Sequence, residues 1–277
     1  MAIITLTTDF GIRDHFVGAI KGYIYSELPE AVIVDISHHV SPFNITEAAY
    51  ILKNAYKTFP KGTVHIIGVD SELTPENRHI AVTIDGHHFV GADNGILSFL
   101  AQEVVPEKMV EINIHDRVQE GIFPVLDVFV KVGAHLARGG QPEVIGKRIE
   151  SMKVLKGLAP VINTSEDQIS GTVIYIDNYG NVITNISRKI FDKYRKGRDF
   201  ELWARNHKFS NIHQKYSDVV NFNSEKSKRN ADGEKLAIFN SSGLIEIAVY
   251  KSNLETVGGA SSLLGLNYRD SITLKFI

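Results

Sequence analysis

The hydrophobic pattern of this chain changes character near its midpoint, and that change limits the possible folds more than any other feature. In the first half, short apolar runs alternate with helical periodicity. Ile3 to Thr8 reads as a buried strand that stops at Asp9-Phe10-Gly11. Phe16, Val17, Ile20, Ile24 and Leu28 then recur at helical spacing until Pro29 ends the pattern. Val32 to Ile36 is a second strand, and Asn44-Ile45-Thr46-Glu47 is a capping box that opens another helix. Strands follow at Val64 to Val69 and Ile80 to Ile84, then a turn at Asp85-Gly86 and a helix starting near Asn94. Strand–helix alternation predicts a Rossmann-like α/β domain with a largely parallel sheet, over residues 1–152.

Residues 153–170 carry little periodicity and read as a linker. Beyond them lie Gly171 to Ile176, Phe200 to Ala204, Leu236 to Phe239, Leu244 to Val249 and Ile272 to Phe276. These short strands between polar loops predict a small all-β, barrel-like domain over residues 171–277.

Composition removes several functional classes. The 30 basic residues against 32 acidic ones leave a net charge of −2, without the basic excess that phosphate contacts demand of a nucleic-acid binder. The absence of cysteine excludes disulfides, thiolate metal sites and cysteine nucleophiles. The N-terminus lacks a basic flank and a long apolar run, and no segment approaches the roughly 18 apolar residues of a membrane span. The expectation is a soluble, cytoplasmic protein. Eleven histidines include the pairs His38-His39 and His87-His88. Neighbours on a strand point to opposite faces, so no metal site is expected from them.

Acidic residues mark the strand ends: Asp9 follows the first strand, Asp35 lies in the second and Asp70 follows the third. Such residues serve equally as turn formers and caps. Ligands of open α/β sheets, however, bind beyond the carboxyl ends of the strands, and three acids there point to a site. No Gly-rich phosphate loop follows the first strand, which disfavours nucleotide phosphates. Carboxylates suit a diol such as ribose, or a cationic group.

Several ordered blocks carry a family resemblance. They are Thr8-Asp9-Phe10-Gly11-x-x-Asp14, Val34-Asp35-Ile36-Ser37-His38, Pro42-Phe43-Asn44-Ile45-x-Glu47, Ala92-Asp93-Asn94-Gly95, Asp177-x-Tyr179-Gly180-Asn181 and Asn240-Ser241-Ser242-Gly243-x-x-Glu246. In this order, over nearly the whole chain, they resemble the S-adenosylmethionine hydroxide adenosyltransferase family, kin of the fluorinase and chlorinase. The resemblance implies hydrolysis of S-adenosylmethionine to adenosine and methionine, without a cofactor, in a homotrimer whose sites lie at subunit interfaces. It implies that Asp9 holds the ribose hydroxyls, that Asp14 and Asp177 receive the methionine ammonium and that Ser241 binds its carboxylate. Phe43 and Tyr179 would stack on adenine, and Asn181 would read its edge. Asp93, Asn94 and Glu246, from the shared blocks, join the substrate-binding candidates.

The family activates water with an Asp, an Arg and a His. Asp70 matches the first and Arg78 is the candidate for the second, across a loop that departs from the family pattern. The His is missing: Phe123-Pro124-Val125-Leu126-Asp127 places Pro124 at its position. Glu72, Glu76, His38, His79, His87 and His115 are the candidates to replace it. Three outcomes stay open: hydrolysis with a substitute group, an adenosyl-binding protein with weak or no turnover, and a halide-using homologue. Asp70 disfavours the last, since a carboxylate repels an anionic nucleophile.

Overall fold

The computed structural model describes residues 2–102, 104–114, 122–155, 159–229 and 231–277. The chain divides into two compact units, Met1–Leu155 and Lys156–Ile277.

The first unit is a seven-stranded sheet with helices on both faces. Its elements are β1 (Ile3–Thr8), α1 (Phe16–Glu27), β2 (Val32–Ser37), α2 (Ile45–Ala55), β3 (Val64–Gly68), β4 (His79–Ile84), β5 (His87–Ala92), α3 (Ile96–Leu100), β6 (Lys108–Ile112), α4 (Val130–Ala137) and β7 (Gly146–Arg148). The strand order is β2-β1-β3-β5-β4-β6-β7. Ile4, Leu6, Val64 and Ile66 pack on one face with Ile20 and Ile24 of α1 and Val130 and Ala134 of α4. Ile67, Ile80, Val82 and Phe89 pack with Ala48 and Leu52 of α2 and Leu97 of α3 in a second cluster. The side-chain alternation of β3, β4 and β5 thus feeds two cores, as a sheet covered on both sides requires.

The sheet is mixed, not largely parallel. Pairings β1–β2, β1–β3 and β3–β5 are parallel, whereas β5–β4, β4–β6 and β6–β7 are antiparallel. The cause is local. Asp85 and Gly86 have φ of 52° and 75°. Two central residues with positive φ give the hairpin turn whose twist matches its flanking strands. That turn folds β5 straight back along β4, where strand–helix alternation predicts a crossover.

The second unit consists of β8 (Val161–Ile162), β9 (Gln168–Ile176), β10 (Val182–Ser187), α5 (Arg188–Arg195), β11 (Phe200–Ala204), β12 (His207–Phe209), β13 (Lys235–Phe239), β14 (Leu244–Val249), α6 (Ala260–Leu264) and β15 (Ser271–Phe276). Its sheet runs β12-β11-β15-β9-β10-β14-β13, with β8 on β9, and every pairing along it is antiparallel. It curls into a nearly closed, barrel-like form around Val173, Val182, Leu202, Ile247, Ile272 and Leu274.

Candidate active site

Asp9 and Asp70 meet because β1 and β3 are parallel neighbours. Thr8 pairs with Gly68 at the carboxyl ends of the two strands, and the Asp9 N–H donates to the Gly68 carbonyl at 3.3 Å. The two acids stand one and two residues beyond that rung. Burial pushes the Asp9 carboxyl above its ordinary value. The Phe43 N–H, donated to Asp9 Oδ2 at 2.9 Å, pulls it back, and the charge of Asp70 adds to the rise. Phe43 has φ of 61° and Asp70 of 45°. Left-handed backbone is uncommon for residues with a side chain and concentrates at functional sites. The Phe43 ring is 73% exposed, so it is held out by the backbone and not packed into a core. Asp14 is exposed in the turn leading to α1.

Two asparagines grip the Asp70 carbonyl. Asn77 Nδ2 donates to it at 3.0 Å and to the Glu72 carbonyl at 3.2 Å. Asn94 Nδ2 reaches the same oxygen at 3.3 Å and the Val69 carbonyl at 2.9 Å, while its Oδ1 accepts the Ile96 N–H. Both polar ends of Asn94 are therefore spent on backbone. Nothing in the sequence marks Asn77, which sits in a loop of ordinary turn residues with no periodic or motif signal.

Arg78 does not face Asp70 as a free cation. Its Nε donates to Asp93 at 2.9 Å, Nη1 to Glu111 at 3.2 Å and Nη2 to the Ser151 carbonyl at 2.7 Å. Asp93, 6% exposed, uses its other oxygen to accept the Lys153 N–H at 2.7 Å. Arg78 and Asp93 thus pair with each other and tie β4 to the segment after β7.

Pro124 caps a π-helical turn, Val125–Phe129, that continues into α4. Proline suits a helix start because it has no N–H to leave unpaired there. Asp127 Oδ2 accepts the Phe123 N–H at 3.2 Å and closes the turn. Phe123 stacks edge-on against Phe10 and Phe16, both with ring centroids 5.4 Å away. A Cβ on Gly68 would lie 3.0 Å from both Phe10 and Val125. The segment around Pro124 therefore packs directly behind the Thr8–Gly68 rung that leads to Asp9 and Asp70.

Among the candidate replacements, His87 opens β5, which runs parallel to β3, so it lies at the opposite end of the sheet from Asp70. His79 is buried, with Nε2 2.9 Å from the Ser71 carbonyl. His38 is buried against Thr8 and Asp35. Glu72 and Glu76 are exposed on the loop after Asp70. His115 lies outside the described residues.

In the second unit, Asp177 organises the turn between β9 and β10. Its Oδ1 accepts the N–H groups of Tyr179 and Asn181 at 2.8 and 2.9 Å, and its Oδ2 accepts Asn181 Nδ2 at 3.0 Å. Gly180 has φ of 75°, and a Cβ there would lie 2.7 Å from Leu254 and 2.9 Å from Gly259. The turn leaves the Tyr179 ring 64% exposed. Ser241 sits in the turn before β14, which Asn240 Oδ1 braces through the N–H groups of Ser242 and Leu244. Glu246 is buried, and its Oε1 accepts the Tyr216 hydroxyl at 2.7 Å. Burial raises its carboxyl above the usual range, the Tyr216 bond opposes this, and the charge of Asp177 adds to the rise. Tyr216 belongs to the long polar loop, where the sequence shows no sign of a partner for Glu246.

Each unit thus presents an exposed aromatic ring beside carboxylates, chemistry suited to a flat, hydroxylated, cationic small molecule. Among the described residues there is no group of three or more His, Asp or Glu that could hold a metal ion, and no helix is long and apolar enough to cross a membrane.

The fold and these residues define an α/β unit followed by an antiparallel, barrel-like unit, each with an exposed aromatic ring beside acidic side chains. Comparison with known proteins narrows this class. The model of the SAM hydroxide adenosyltransferase N-terminal domain matches residues 4–146, and that of the C-terminal domain matches residues 171–273. The (R)-S-adenosyl-L-methionine hydrolase of Methanocaldococcus jannaschii is 31% identical, over 98% of this chain and 95% of that protein. The fluorinase of Actinopolyspora mzabensis is 26% identical, over 67% of this chain and 72% of its own. A crystal structure of an uncharacterised conserved protein from Thermotoga maritima matches with a TM-score of 0.82 and 31% identity, covering 99% of both chains. The chain belongs to the SAM hydroxide adenosyltransferase family.

Proposed function

We propose that this protein hydrolyses S-adenosylmethionine to adenosine and methionine. The C5′–S bond breaks with its electron pair leaving on sulfur, as the thioether of methionine. A C5′–O bond forms from water, whose proton is released. The sulfonium is a good leaving group, so the protein's task is to orient and deprotonate the water. The observation that carries this reading is the placement of Asp9 and Asp70 beyond adjacent strand ends, two carboxylates close enough for their charges to interact and suited to a cationic substrate. Family membership and the hydrolase relatives support it.

In this reading Asp9 takes the ribose hydroxyls with the oxygen not engaged by Phe43, and Asp70 accepts from the attacking water. Phe43 and Tyr179 flank adenine, and Asn181 contacts its edge. Asp14, Asp177 and Ser241 hold the methionine end. Arg78, Asp93, Asn94 and Glu246 act behind these groups as scaffold, because their polar atoms are engaged within the protein. The active form is a cytoplasmic homotrimer in which one subunit's first unit and a neighbour's second unit share the substrate, with no nucleic acid, metal or cofactor required.

Incubation of the purified protein with S-adenosylmethionine, followed by chromatography, tests this. Adenosine release that disappears in Asp70→Ala is the expected result, and full activity in that variant would overturn the role of Asp70. A second reading, ligand binding with little turnover, is favoured by Pro124 in the His position and by the engagement of Arg78. Its signature is a thermal shift with S-adenosylmethionine and no adenosine.

A further inference from the structure

Thr8, the last residue of β1, and His38, just past β2, form a buried side-chain bond, with Oγ1 and Nδ1 2.8 Å apart. The other ring nitrogen, Nε2, lies 3.1 Å from Asp35 Oδ1. Asp35 Oδ2 in turn accepts Lys21 Nζ from α1 at 2.6 Å. The Nδ1 bond ties the ring to Thr8, and the approach of Nε2 to Asp35 sets the position of its other edge. The backbone repeats the tie. The Gly11 N–H donates to the His38 carbonyl at 2.7 Å, and the Val40 N–H to the Thr8 carbonyl at 3.4 Å.

These bonds lace residues 8–11 to residues 38–40. Asp9 lies within the first segment, and Phe43 follows the second. The Asp9–Phe43 bond at 2.9 Å then bridges the same two segments on the substrate side. His38 is only 4% exposed and Thr8 is fully buried, so neither is placed to touch a substrate or an incoming water.

We infer that Thr8, His38 and Asp35 form a positioning relay that fixes the spacing between Asp9 and Phe43, and so sets the affinity of the site for the adenosine half of its substrate. The inference rests on the hydrolase reading above. His38 is then a positioning residue acting through Asp9 and Phe43, not the base that replaces the missing His. Lys21 anchors the outer end of the relay on α1.

The same strand supplies a matched control. Thr5 Oγ1 lies 2.7 Å from His65 Nδ1, both fully buried, but this second Thr–His pair leads to His87 Nδ1 at 3.2 Å, at the amino end of β5. Thr5→Val removes an equivalent buried hydroxyl without touching the Asp9 turn.

The experiment is steady-state adenosine release by the full chain, with a melting temperature recorded for each variant. Thr8→Val should raise KM for S-adenosylmethionine about tenfold, as loss of one buried hydrogen bond implies, with kcat within about twofold of the unmutated chain. Thr8→Ser, which keeps the hydroxyl, should stay near the parent KM. Thr5→Val should lower the melting temperature comparably and leave KM alone. If Thr8→Val folds poorly, His38→Asn and His38→Leu form the second pair: Asn keeps a polar partner for the Thr8 hydroxyl and should bind more tightly than Leu. An unchanged KM in Thr8→Val, or an equal rise in Thr5→Val, overturns the relay while leaving the hydrolase reading intact. No adenosine from the unmutated chain overturns the hydrolase reading and the relay with it.

Discussion

The side-chain amide of Asn77 donates to the backbone carbonyl of Asp70 at 3.0 Å, across a loop closed by the Thr74–Asn77 bridge. With Asn94 on the same oxygen, it holds Asp70 at a φ of 45°. A left-handed Asp costs on the order of 1 kcal/mol, which the two amides offset. Asn77→Ala should therefore lower kcat for adenosine release about tenfold while changing KM little, because the backbone of Asp70 relaxes and its carboxylate turns. Stability should fall by about 1–2 kcal/mol in urea titration. An unchanged kcat would show that the Asp70 conformation holds without Asn77.

The effect of a histidine at position 124, which the family resemblance implies there, depends on its neighbours. Pro124→His alone keeps Val125, which is fully buried against Gly68. It should raise adenosine release if the ring reaches the water beside Asp70. Adding Val125→Gly removes that packing and places glycine in a helix, at a combined cost of about 2–4 kcal/mol. The double variant should therefore melt well below the single one. Equal melting temperatures would mean that Val125 contributes little to the support of the Thr8–Gly68 rung.

Gly180→Ala should damage the second unit's turn. The residue combines φ of 75° with backbone 2.9 Å from any Cβ, and the Leu254 side chain is closer still. A cost of about 2–3 kcal/mol is expected from strain and overpacking together. The turn presents Tyr179, so KM for S-adenosylmethionine should rise with the loss of stability. A neutral substitution in both respects would remove the turn from the binding reading.

The buried histidines predict an acid-sensitive first unit. Burial, assisted by the charges of His87 and His88, lowers the His65 pKa to about 3, and His87 and His88 are also depressed by burial. The unfolded chain takes up these protons near pH 6.5, whereas the folded one does not. Stability is then fully present above pH 6.5 and falls as pH drops toward 3, by at most about 1.4 kcal/mol per pH unit for His65. Denaturant titrations at pH 7 and pH 5 measure the slope. Thr5→Val combined with His65→Leu should flatten it, and an identical slope would mean that His65 is not the group responsible.

The sequence alone determined the change from an α/β half to an all-β half, because hydrophobic period is a local property that each strand and helix displays by itself. Asn44 and Glu47 illustrate this: the Glu47 N–H donates to Asn44 Oδ1 at 3.2 Å, the cap that their spacing predicts. It also determined that Asp9 and Asp70 end strands. Tertiary structure decided the rest. The Asp85-Gly86 hairpin, two residues in which φ outweighs pattern, inserted β5 between β3 and β4 and made the sheet mixed. The partners of Arg78, at Asp93, Glu111 and Ser151, lie 15, 33 and 73 residues away in the chain, and no spacing rule foretells them. Thr8 and His38 are 30 residues apart and meet only because β1 and β2 are parallel neighbours. Residue types at strand ends can suggest a site, but which of their polar atoms are left for a ligand is settled by long-range contacts that form only as the chain packs.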